Sequence, residues 1–79
     1  MHIYHHGYHI NVFLANDMNS IKGCVKKNKD ESYTIFVNAN MACNQQQAVL
    51  KHELKHIENG DFDKKCSADL IELYAHKED

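Results

Sequence analysis

The chain has no apolar run approaching the length of a membrane span, no C-x-x-C pair and no excess of positive charge. The first absence removes a transmembrane helix, which needs about 20 consecutive apolar residues. The N-terminus lacks the basic start and apolar core of a secretory signal, so the expected location is the cytoplasm. Cys24, Cys43 and Cys66 are an odd count without zinc-knuckle spacing, which reads as reduced, partly buried thiols rather than a disulfide framework. A net charge of −2 leaves no electrostatic footprint for nucleic acid, so no direct nucleic-acid ligand and no membrane partner are expected.

What is present describes one small soluble domain over residues 1–79, with 43% hydrophobic and 25% charged residues. A core of that size supplies little surplus stability, so a metal tying elements together would help. Histidine stands out, with seven in 79 residues. Four of them, His2, His5, His6 and His9, crowd residues 1–9 without a helical or strand spacing that converges on one ion. That segment reads as a flexible or strand-leading terminus with, at most, incidental metal binding.

Three strands follow from alternation and turn chemistry. Ile10, Val12 and Leu14 alternate with Asn11 and Phe13 up to Asn16-Asp17. Ile21, Gly23 and Val25 alternate with Lys22, Cys24 and Lys26, and Asn28-Lys29-Asp30-Glu31 supplies a hairpin loop. Tyr33-Thr34-Ile35-Phe36-Val37, five β-branched or aromatic residues in a row, is the strongest strand signal. The expected fold class is α+β: an antiparallel sheet of about three strands, then a helix over about 44–59 and a C-terminal helix from Ser67 to about Lys77.

The first of those helices carries the chemistry. Val49-Leu50-Lys51-His52-Glu53-Leu54-Lys55-His56-Ile57 contains H-E-x-x-H in helical register, with Leu50, Leu54 and Ile57 forming a core stripe. Composition alone would produce that pattern in roughly 4% of such chains, so context decides its meaning. The helix ends are legible: Asn44 followed by Gln47 resembles a capping box, and Gly60 is a C-terminal stop. Residues four apart on a helix stack one above the other, so His52 and His56 can direct imidazole nitrogens at one Zn2+ ion. Glu53 sits beside the ion, placed to act as general base rather than as a ligand. The bland alternative is two surface histidines on an ordinary amphipathic helix.

Two imidazoles leave a catalytic zinc short of one protein ligand. Glu72 is the candidate, because it lies mid-helix among apolar neighbours where an unpaired carboxylate is costly. His76, one turn further on, is an alternative ligand or a partner that orients one, and Asp61 is placed to accept a hydrogen bond from a ligand imidazole. Tyr74 or His76 is available to stabilise an oxyanion. Cys66, near in sequence, is a weaker candidate for touching metal.

Taken together, Ile21-Lys22-Gly23, Thr34-Ile35-Phe36-Val37-Asn38, His52-Glu53-Leu54-Lys55-His56-Ile57 with Gly60-Asp61-Phe62, and Ile71-Glu72 with Ala75-His76 resemble the ImmA/IrrE family of metallopeptidases, in the short form found in prophages and mobile elements. The resemblance runs from about residue 16 to residue 76. It implies a zincin-like core in which His52 and His56 bind zinc, Glu53 is catalytic and Glu72 completes the site. It also implies a protein substrate, a helix-turn-helix repressor of a mobile element. Longer members carry more helices before the sheet, and a glutamate just before the alanine aligned with Ala75, where this chain has Tyr74. That departure leaves the third ligand between Glu72 and His76.

The expected function is therefore a zinc-dependent endopeptidase. The alternative is a zinc-stabilised regulator that binds a repressor or another protein without cutting it; the presence of Glu53 counts against it, because a structural site needs ligands but no base.

Overall fold

The fold, obtained as a computed structural model, describes residues 1–16, 18, 20–60 and 66. Its elements are β1 (His2–His5), β2 (Tyr8–Ala15), β3 (Gly23–Lys27), β4 (Tyr33–Asn38) and α1 (Cys43–Asn59). They form a four-stranded mixed sheet in the order β1-β2-β4-β3 with one helix against it.

β4 is the spine. All six of its residues are buried, as a contiguous β-branched and aromatic run requires when both faces of a strand are covered. On the α1 side, Ile10, Val12, Val25, Ile35 and Val37 close around Ile57, with Val49, Leu50 and Leu54 packed against them. On the other side, Phe36, Cys24 and Ala15 gather with Met18, and Phe13 and Cys66 lie over them. Burying each such side chain contributes about 1.5–3 kcal/mol, which is why the alternation fixes the register of every strand.

The α+β class holds, but the sheet is neither three-stranded nor wholly antiparallel. Residues 1–9 form β1 and the start of β2, paired from His2 opposite Asn11 to His5 opposite Tyr8. His6 and Gly7, both at positive φ (49° and 85°), make the two-residue turn whose twist matches the strands it joins. The Met1 ammonium also donates to Val12 O at 2.9 Å. β2 runs parallel to β4, while β3 pairs antiparallel with β4 through the 28–32 turn. The chain lays β3 at the far edge before β4 inserts between β3 and β2, so consecutive strands β2 and β3 are not neighbours.

α1 begins one residue earlier than the start at about 44 that the Asn44–Gln47 pattern indicates. Its N-cap is Ala42, whose backbone N–H donates to the Gln45 side chain at 3.4 Å; Asn44, the expected cap, lies inside the first turn. Gly60 ends the helix in the left-handed region (φ 65°, ψ 24°), its N–H returning to the carbonyls of His56 and Ile57. The expected second helix lies outside the described residues. Among the described residues no helix is long and apolar enough to cross a membrane.

The cysteines depart from the sequence expectation. Cys24 on β3 and Cys66 are joined as a disulfide across 42 positions of sequence, and Cys43 is free and exposed. Three-dimensional packing, not spacing, brings that pair together. While that bond is formed, Cys66 Sγ is not available as a metal ligand.

Candidate metal centre

α1 presents His52 and His56 one turn apart on the flank that looks past β3. Their Nε2 atoms lie 2.9 Å apart and their rings meet nearly edge to face, with centroids 4.4 Å apart at 89°. One imidazole donates and the other accepts, so one of the two carries its proton on Nε2. Glu53, next along the helix, turns inward and is only 5% exposed. Donor atoms of His52, Glu53 and His56 all lie within 4.8 Å of one another.

This donor set could hold a metal ion, and its spacing is compatible with zinc. A tetrahedral ion about 2.0–2.1 Å from each nitrogen needs the nitrogens roughly 3.3–3.4 Å apart, a few tenths of an ångström wider than the hydrogen-bonded pair. Opening the pair and moving its shared proton to Nδ1 leaves both Nε2 lone pairs free for the same ion.

The remaining walls come from the start of β3 and the residue before it. A cleft of about 290 Å³ is lined by Lys22 and Gly23 on one side and by Val49, His52, Glu53 and His56 on the other. Gly23 is what lets α1 come so close. A Cβ at that position would stand 2.5 Å from Val49 Cγ1, 3.3 Å from the Phe36 carbonyl oxygen and 3.6 Å from Glu53 Cγ. Asn38, at the end of β4, holds the approach to β3 in place: its backbone N–H donates to Lys22 O at 2.9 Å and its side-chain amide to Ile21 O at 3.0 Å. Asn38 Oδ1 in turn accepts from the Asn40 N–H at 2.9 Å, shaping the link into α1.

The structure thus brings together His52, Glu53 and His56. Glu72, His76, Asp61 and Tyr74 lie outside the described residues. Sequence reading assigns no role to Lys22, Gly23 or Asn38 at the site; the one available signal is a glycine inside an alternating strand, which often marks a close approach by another element.

A second histidine cluster sits in the last turn of α1, two residues past His56, where His5 and His6 both approach Glu58. The hydrogen bond from His5 holds the Glu58 carboxyl below the usual carboxylate range against the opposing effect of desolvation, with smaller help from the nearby charge of His6, His5 and Lys55.

Comparison of the chain with protein families, curated proteins and solved structures finds no match.

Proposed function

We propose that the chain is a zinc-dependent endopeptidase, a zincin-like member of the ImmA/IrrE family acting on a regulatory protein such as a helix-turn-helix repressor in the cytoplasm. The observation that carries the reading is the pairing of His52 and His56 Nε2 atoms beside a buried Glu53. The family and the substrate class rest on the sequence resemblance alone.

Zinc, when bound, polarises a carbonyl and acidifies water in its open position. His52 and His56 would hold the ion, with Glu72 or His76 as the third protein ligand. Glu53 takes a proton from the attacking water and delivers it to the departing amine. Its burial beside Gly23 narrows the directions open to the side chain and so helps orient the carboxylate.

β3 is one of the two edge strands of the described sheet, and its first residue borders the cleft. An extended peptide adding to that edge lays its backbone across the site, so affinity comes from main-chain hydrogen bonds and cleavage from the helix.

The test is Glu53→Gln, which preserves shape and removes the base. Zinc content and folding should stay at the wild-type level while peptide hydrolysis falls at least 100-fold, in line with about 10²–10⁴ for a general base. Retention of the full biological effect in that variant would make the protein a zinc-stabilised binder instead.

A further inference from the structure

Consecutive residues of a β-strand face opposite sides of the sheet, yet His5 and His6 reach the same carboxylate. His5 closes β1 on the face it shares with Ile3, which packs into the α1-side core. Its Nε2 lies 2.9 Å from Glu58 Oε2. His6 opens the turn, and its φ of 49° rotates its side chain off the strand alternation, so that its Nε2 stands 3.4 Å from Glu58 Oε1. Positive φ is uncommon outside glycine, although histidine is among the residues that adopt it more readily. His2 and His9 stack on the opposite face, 5.3 Å between ring centroids, and take no part.

We propose that His5, His6 and Glu58 form a second zinc site, which fastens the β1–β2 hairpin to the last turn of α1. Two imidazoles and one carboxylate are a donor set suited to a borderline-soft divalent ion, and all three donor atoms lie within 4.8 Å of one another. The ligands come from segments 53 positions apart, so an ion there would add a crosslink between β1 and α1 to the pairing of β1 with β2 and the packing of Ile3 into the α1-side core. His6 is 61% exposed, which leaves the site reachable from solvent and a coordination position for water. Glu58 follows His56 by two residues on the same helix. The second ion would therefore stiffen the turn that carries one of the first ion's ligands.

The experiment is a zinc titration of the full chain against a chromophoric chelator, with the histidine ring nitrogens followed by NMR. The wild type should take up two equivalents, and zinc should shift the Nε2 resonances of His5 and His6. The double variant His5→Ala/His6→Ala should take up one. Glu58→Gln, which leaves the hairpin sequence intact, should also take up one, and so should His52→Ala. A second equivalent that survives both the double variant and Glu58→Gln overturns the proposal, as does a single wild-type equivalent lost only in His52→Ala. A single equivalent lost in the hairpin variants but kept in His52→Ala would sustain this site and overturn the H-E-x-x-H centre.

Discussion

Gly23 and Val49 mark the point where the edge strand β3 passes beneath α1: a Cβ on Gly23 would stand 2.5 Å from Val49 Cγ1. That gap sets how far Glu53 and His52 reach over β3, since Val49 and Glu53 are neighbours on one face of α1. The strand thus helps determine the position of the helical donors.

Gly23→Ala should therefore disturb both stability and metal binding. The added methyl meets Val49 and the backbone of Phe36, and overpacking of this kind costs about 1–3 kcal/mol. Urea unfolding should show that loss, and chelator competition should show weaker zinc affinity than in wild type. Unchanged values for both would mean that α1 is not seated on Gly23.

The cysteine pairing has a chemical readout. Without reductant, iodoacetamide should label Cys43 and leave Cys24 and Cys66 unmodified. Closing a loop of 42 positions restricts the unfolded chain, and the entropy model gives about 4 kcal/mol for it, so Cys66→Ser should be markedly less stable than wild type under oxidising conditions. In a reducing cytoplasm the two cysteines would rest as thiols within bonding reach. Labelling of all three in freshly lysed cells would mark that compartment.

The β3–β4 turn carries a pH signature. Ser32 Oγ donates to Asp30 Oδ1 at 2.6 Å and the Ser32 N–H donates to the same oxygen at 3.0 Å, which together hold the Asp30 carboxyl below its usual range. A depressed folded pKa means that the stabilisation is complete above the unfolded value of about 3.9 and disappears as pH falls through the lowered folded value. An NMR titration should place the Asp30 midpoint below that of an ordinary aspartate, and Ser32→Ala should move it back up. Equal midpoints in the two proteins would refute the hydrogen bond from Ser32.

Much of this arrangement is legible in the sequence, for identifiable reasons. Helical spacing of Leu50, Leu54 and Ile57 locates α1, and Gly60 stops it where the left-handed residue is needed. The run Tyr33–Asn38 marks a strand covered on both faces. Alternation tells which face a residue takes but not which strand lies beside it, so the parallel pairing of β2 with β4 had no signal. β1 is mostly histidine and tyrosine, and only Ile3 shows its inward side. At the site, the H-E-x-x-H spacing places the donors, whereas the contact of Gly23 with α1 and the anchoring by Asn38 depend on tertiary neighbours. The disulfide is hidden for the same reason.

The central claim is that His52 and His56 share one zinc ion. The most direct measurement is an anomalous difference map at the zinc edge from crystals of the intact chain. The account predicts a peak within bonding distance of both Nε2 atoms, with a third protein ligand from Glu72 or His76 and a fourth position held by water. Absence of a peak between His52 and His56, or a peak enclosed by four protein ligands, would contradict a catalytic zinc centre.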